Sequence, residues 1–548
     1  MLTAVLAAAC SSTGEHGSPY KMVEVLVTSE SGHKLASMET FSFFPGEAEG
    51  TVISVDPQST KQTIDGIGSS FTESSAFVLA HLEPRQRREV MEKIYGESGA
   101  DFTLTRTHIG SCDFSVEGKY SYAEKPDDVD LSSFSIAPDL AGFDATKYPG
   151  VRDSSYDLLP MIHEALAIKQ EQQDGALRII ASAWTSPPWM KNTEAWFIPG
   201  APENDWQGDG GWLKPEHVST YADYLVAYLD AYEEAGVDIW GLTPVNEPHG
   251  NGGNWESMHF SPESQNDFVK AHLGPSLKSS GHGDTKLLIY DQNRDSLEEW
   301  TDVILGDPQS AEYVYGTAVH WYASTFKVYE DALDRIHEKF PECSIINTEA
   351  CIDNLGVEAP GGIEDRGGFK ESDWFQNDAF WWNPNATDWA YTATWAGPAA
   401  ADHPVYTPVH RYARNIIVSL DHWMNGWVDW NVVLDRDGGP NHVGNFCGAP
   451  IMIDTETQEV YYTPIYYVLA QFSRTIRPGD KVVHSELSPG GLDPDALHAV
   501  ATINPAGLVS VQLLNTTREA IDYKLQLTDQ YAEVTIPANS VQTVRVQL

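Results

Sequence analysis

Cysteine is scarce in this 548-residue chain, with five in all, an odd number. Cys112, Cys343, Cys351 and Cys447 show neither C-x-x-C spacing nor a His at metal-ligand spacing. A disulfide framework is thereby excluded, and a zinc site is not expected. Positive charge is scarce as well. Lys and Arg number 34 against 79 Asp and Glu, a formal net charge of −45, and a polyanion of this kind repels phosphates, which excludes nucleic acid as a partner. Long hydrophobic runs are missing: after the N-terminal lead, nothing approaches the ~18 uninterrupted apolar residues that a membrane span needs. No glycine-rich phosphate loop follows the first predicted strand, so a nucleotide-binding doubly wound sheet lacks its signature. No cofactor is expected.

What is present is the composition of a globular protein, 41% hydrophobic and 11% aromatic, in a chain long enough for more than one domain. Its lead, Met1-Leu2-Thr3-Ala4-Val5-Leu6-Ala7-Ala8-Ala9, is apolar and small and ends at Cys10. It resembles a bacterial lipoprotein signal, which would make Cys10 a lipid anchor and the protein exported, periplasmic or at the cell surface. No Lys or Arg precedes the apolar run and Leu6 sits one place early, so a truncated start or a chance Ala-rich terminus is the alternative. Residues 11–20 are small and polar and read as a tether.

Alternating apolar runs mark strands at both ends, for example Val23 to Val27 and Thr51 to Val55, then Leu508 to Leu514 and Val541 to Val546. One β-sandwich built from residues 21–60 and 456–548 is the reading. Between them, residues 61–455 alternate strand and helix, the mark of a parallel sheet. Strand candidates are Ile64 to Phe71, Phe102 to Thr107, Leu177 to Ala183, Ile239 to Asn246, Lys286 to Asp291, Gly316 to Tyr322, Cys343 to Glu349 and Asn425 to Trp430. Eight strands separated by helices predict a closed (β/α)8 TIM barrel. One connection, residues 352–406, is long and rich in aromatics from Trp374 to Trp395, and reads as a binding loop over the barrel mouth.

Two predicted strands end in a carboxylate: Ile239 to Glu247, with Asn246 just before the acid and Pro248 just after, and Cys343 to Glu349. A lone strand-end Glu would be read as a loop cap. Two of them, at the end of a barrel where chemistry is kept, are the equipment for cleaving a glycosidic bond with retention, one as proton donor and one as nucleophile.

The chain resembles glycoside hydrolase family 30. The motifs that carry the resemblance run in one order from about Thr63 onward: Gly66-Ile67-Gly68, Ser111-Cys112-Asp113-Phe114-Ser115, Trp184-Thr185-Ser186-Pro187-Pro188-Trp189-Met190-Lys191, Asn246-Glu247-Pro248, His320-Trp321-Tyr322, Thr348-Glu349-Ala350-Cys351, Gly426-Trp427-Val428-Asp429-Trp430-Asn431 and Gly438-Gly439-Pro440-Asn441. The resemblance implies Glu247 as general acid/base, Glu349 as nucleophile and Arg106 as the partner that keeps Glu349 ionised. It implies Asn246 on the sugar 2-hydroxyl, and Asp113 and Trp184 on the remaining hydroxyls and ring face. His320 and Tyr322, two apart on a strand, are expected to point together at the mouth, and Trp430 and Asn441 to complete the pocket. His442 stands where the family's lysosomal member has an aromatic. The implied function is a retaining, glucosylceramidase-like β-glucosidase acting on a β-glucoside, glycolipid or β-glucan, with a β-1,6-glucanase as the alternative. A non-catalytic carbohydrate-binding surface lipoprotein is the alternative of another class.

Overall fold

The computed structural model describes residues 20–172, 175–198, 209–250, 254–351, 406–444 and 446–548. The lipid-anchor reading at Cys10 and the aromatic-loop reading of residues 352–405 lie outside these residues.

Eight parallel strands form the central sheet: β1 Gly66–Ser69, β2 Leu104–Ile109, β3 Arg178–Ala183, β4 Gly241–Thr243, β5 Lys286–Asn293, β6 Val314–His320, β7 Ser344–Glu349 and β8 Met424–Asp429. Neighbours pair in chain order, and β8 returns to β1. The seam between β1 and β2 is held by Phe71 N–H on Arg106 O at 2.8 Å and Thr105 Oγ1 on Ser69 O at 2.7 Å, so the barrel closes. Helices cover it outside. Pro84–Tyr95 starts with Pro at its first position, where the missing N–H costs nothing, and buries Val90, Met91, Ile94 and Tyr95 at helical spacing. Leu158–Gln170 is capped by Asp157, whose carboxylate accepts from the Leu158 N–H.

The period of two within a strand explains where the chemistry sits. Leu104, Ile180, Leu288, Ala318, Ile346 and Val428 form a small cluster of their own, plugging the barrel interior. Two residues further along the same inner face come Arg106, Ser182, His320, Thr348 and Trp430. The apolar layer shuts the bottom, and the next layer up is polar.

Residues from both ends of the chain build a second domain with its own apolar core, including Val25, Ile53, Val511, Leu525 and Val544. The strand Lys21–Ser29 pairs antiparallel with Ser540–Gln547, and Val52–Thr63 lies between Lys481–Ser488 and Ile521–Leu527. Gln471, on the helix Pro464–Thr475, ties the two domains by accepting from Thr28 Oγ1 at 2.7 Å and donating to Val541 O at 3.2 Å.

The predicted strand ends shift by up to three residues, and two of the shifts bear on the site. β4 stops at Thr243, because Pro244 has no N–H to continue the ladder. β6 ends at His320, so Tyr322 lies past the strand and reaches the site from the following loop.

Candidate active site

Glu247 lies four residues beyond β4, yet its backbone is fixed. Asn246 N–H donates to Ala183 O at 2.7 Å and Glu247 N–H to Asp291 O at 2.9 Å, so the segment hangs between β3 and β5. Glu247 has φ of 50°, a left-handed conformation that a non-glycine residue holds only when its surroundings impose it. Glu349 closes β7 at a bulge: opposite β6, Val319 faces Asn347 and His320 faces Glu349, so Thr348 is the extra residue. A second bulge on β5 leaves Asp291 unpaired between Tyr290 and Gln292. Each bulge re-aims a carboxylate into the barrel that strict alternation would turn outward.

The two catalytic candidates meet there. Glu247, His320 and Glu349 present donor atoms that all lie within 4.8 Å of one another. Arg106, fully buried, donates from Nη1 to Glu349 Oε2 at 2.5 Å, from Nη2 to Asn246 Oδ1 at 2.7 Å and to Asp291 Oδ2 at 2.9 Å, and from Nε to Ser182 Oγ at 2.9 Å. The Tyr322 hydroxyl donates to the other Glu349 oxygen at 3.0 Å. His320 places Nε2 on Asp291 Oδ1 at 3.0 Å and Nδ1 toward Glu247 Oε1 at 3.4 Å. Asp291 also accepts from Thr243 Oγ1 at 2.7 Å and Thr348 Oγ1 at 2.6 Å.

The electrostatics follow from these partners. Burial works against the His320 imidazolium, but the Glu349 charge and the bonds to Asp291 and Glu247 outweigh it and raise its pKa to about 9. Burial also works against the Asp291 carboxylate; Arg106 and His320 prevail and hold it well below the usual range. Glu349 is raised by burial and by the neighbouring Glu247 charge, while His320 and Arg106 pull it back. Two cations thus face three carboxyls, and the cluster is neutral when one carboxyl keeps a proton. Glu349 has short donors on both oxygens, whereas among the described residues Glu247 makes one long contact, so the geometry favours the carboxylate form at Glu349.

A metal ion has an unattractive seat among these donors. Arg106 holds one Glu349 oxygen, and both nitrogens of His320 face carboxylates and carry hydrogens in the charged form.

The sugar-binding candidates gather beside the pair. Trp184 and Trp430 stack with ring centroids 5.2 Å apart, and the Arg106 guanidinium lies 4.7 Å from the Trp184 ring. Arg106 occupies Asn246 Oδ1, which leaves Nδ2, a donor, as the atom this amide can offer a hydroxyl. Asp113 is buried in the loop after β2, close enough to His442 for its charge to act on that imidazole. Asn441 is half-buried in the loop after β8, next to His442, with its Oδ1 accepting from Val443 N–H at 2.9 Å.

Residues 64–399 and 399–476 match the glycosyl hydrolase family 30 TIM-barrel domain, and residues 483–544 its beta sandwich domain. The chain belongs to glycoside hydrolase family 30. It is 30% identical to lysosomal acid glucosylceramidase of Mus musculus over 502 residues, 90% of this chain and 83% of that one. An endo-1,6-beta-D-glucanase of Neurospora crassa is 27% identical over 466 residues, 84% of this chain and 80% of that one. Among solved structures, SrfJ from Salmonella typhimurium superposes with a TM-score of 0.76 at 22% identity, covering 96% of this chain and 99% of that one, which supports the shared fold. Family 30 membership makes this protein a glycosidase with glycoside or glucan substrates.

Sequence reasoning missed Asp291, Thr243, Thr348 and Ser182. Asp291 ends a predicted strand, and that position was the available signal, but the bulge on β5 shows only in the register and its four donors come from other strands. It also missed that Glu256 faces His442 across 3.3 Å.

Proposed function

We propose that this family 30 enzyme removes terminal β-D-glucosyl residues with net retention, using Glu349 as nucleophile and Glu247 as acid and then base. One observation carries the reading: a Glu247 oxygen and a Glu349 oxygen lie within 4.8 Å of each other. Retaining glycosidases hold their carboxyls about 5–5.5 Å apart, whereas inverting ones leave about 6.5–9.5 Å for a water. In the first step a Glu349 oxygen bonds to the anomeric carbon as the bond to the leaving oxygen breaks, and that oxygen takes the Glu247 proton. Water then adds to the same carbon, gives its proton to Glu247, and the ester to Glu349 breaks. Tyr322 and Arg106 hold Glu349 for attack, and the Asn246 amide donates to the 2-hydroxyl, a contact that strengthens in the transition state.

Glucose selectivity rests on Asp113 and the Trp184–Trp430 stack, an acceptor for vicinal hydroxyls beside an apolar face for the ring. The names of the mouse and Neurospora relatives support two leaving groups, a ceramide and a β-1,6-linked glucan. The test is proton NMR of an aryl β-glucoside digest, followed by glucosylceramide and β-1,6-glucan as substrates. The β-anomer of glucose is expected first. Initial release of the α-anomer would refute retention, and an inert protein would favour a carbohydrate-binding role. Export with a lipid on Cys10 belongs to the same proposal, tested by radiolabelled palmitate incorporation in the Cys10→Ala variant.

A further inference from the structure

A second buried charge pair lies beside the sugar-binding side of the site and takes no part in the chemistry above. Glu256, 1% exposed, accepts from Ser111 Oγ at 2.5 Å and from Lys119 N–H at 2.9 Å, and its other oxygen faces His442 Nε2 at 3.3 Å. His442 Nδ1 lies 2.9 Å from Ser115 O, and the His442 ring packs so closely on Gly118 that no side chain would fit there. Both nitrogens of His442 therefore face acceptors, Nδ1 a carbonyl oxygen at hydrogen-bond distance and Nε2 the Glu256 carboxylate as an ion-pair approach, an arrangement that suits the charged ring. These contacts grip residues 111, 115, 118 and 119, and Asp113 lies inside that span. Three barrel loops meet in the pair: the one after β2, the one after β4 carrying Glu256, and the one after β8 carrying His442.

We propose that the Glu256–His442 ion pair is a positioning device for the sugar-binding carboxylate Asp113, and that its proton sets an alkaline limit on substrate affinity separate from the catalytic pair. The inference rests on the proposed glucose-binding role of Asp113. Once His442 loses its proton, the Glu256 carboxylate loses its counter-charge or Ser115 O loses its donor, and the loop after β2 loses an anchor. Asp113 contacts the sugar before and during reaction alike, so the loss falls on KM and leaves kcat to the catalytic carboxyls.

The groups facing the pair agree. For His442, burial lowers the pKa, but the hydrogen bond and charge of Glu256, with Asp113 adding, raise it above the ordinary value. For Glu256, burial raises the carboxyl, and His442 and Ser111 bring it below the ordinary value. His108, Cys112 and Lys191 face Glu256 from β2, its loop and the loop after β3. Burial pushes His108 down to about 4, so it stays neutral across the range of interest. Burial also brings Lys191 down to about 7 and pushes Glu73, which bonds Ser115 and Val116 in the same loop, up to about 8, so both titrate in the same range and must be told apart from His442.

The experiment measures kcat and KM for p-nitrophenyl β-glucoside, and the dissociation constant of D-glucose by ligand-observed NMR, from pH 5 to 9. The His442 imidazole resonance is followed in parallel, which separates its titration from those of Lys191 and Glu73. The expected result is that KM and the glucose dissociation constant rise severalfold as the His442 resonance titrates, with kcat unaffected by that step. In Glu256→Gln the imidazole titration and the affinity loss move together to lower pH, and in His442→Phe affinity is reduced at all pH values and the step disappears. A wild-type KM flat across the His442 titration, or an affinity step that stays in place in Glu256→Gln, would overturn the proposal. Glucose that binds without turnover would refute the proposed hydrolysis alone, whereas a chain that binds no glucose at any pH would defeat both readings.

Discussion

Replacing Tyr322 by Phe removes one hydroxyl and leaves the ring. That hydroxyl donates to Glu349 Oε1 at 3.0 Å, while Arg106 holds Oε2 at 2.5 Å. A hydrogen bond to a charged group contributes about 1.5–3 kcal/mol, and Tyr322 is only partly buried, so the low end applies. At 1.36 kcal/mol per pH unit this corresponds to about one unit in the ionisation of Glu349. The sign follows from which form the donor favours. Tyr322 stabilises the carboxylate, its loss makes the carboxylate harder to form, and the acidic limb of kcat/KM moves to higher pH. Glu247 makes its contact with His320 instead, so the substitution acts on Glu349. The assay is the pH profile of kcat/KM for an aryl β-glucoside in both proteins, with thermal melts as a control for folding. Below the limb, the variant is expected to run roughly tenfold slower than wild type. An acidic limb that did not move would show that Tyr322 is no donor to the ionised Glu349, and the role given to its hydroxyl would have to be dropped.

Other outcomes follow from the same geometry. Glu349→Gln, nearly isosteric, is expected to abolish hydrolysis and leave the circular dichroism spectrum unchanged; substantial residual turnover would remove Glu349 from the nucleophile role. Asp291→Asn withdraws the anion between Arg106 and His320 at zero exposure, and breaking a buried pair in this way costs about 3–5 kcal/mol, to be read from the urea midpoint. Wild-type stability is expected to fall as pH rises through about 9, because the raised His320 pKa makes the imidazolium a stabilising group that is fully charged below 6.5 and lost above 9. Gly68→Ala is expected to leave little folded protein by circular dichroism, since a Cβ there would run into the Leu104 carbonyl oxygen across the β1–β2 seam.

Much of this protein was determined by its sequence alone, because the signals involved are local. Apolar runs of strand length between helical patterns placed all eight barrel strands. Helix bounds such as Pro84–Tyr95 follow from a proline at the start and an apolar stripe at helical spacing. Strand ends in a barrel share one face, so two strand-end glutamates could be read as partners before any distance was known.

The tertiary structure decided what depends on register and burial. Alternation along β7 cannot say that Thr348 is an extra residue, and without that bulge Glu349 would face away from Glu247. Asp291 is an ordinary strand-end residue in sequence. It becomes the hub of the site only because β2, β4, β6 and β7 each bring a donor to it when the barrel closes. The charge state of His320 is likewise a property of the assembled cluster, since burial alone would make the ring neutral and only the surrounding carboxylates reverse that. Glu256 and His442 lie far apart in the chain, in segments with no shared period, and only the approach of the loops after β4 and β8 makes them a pair.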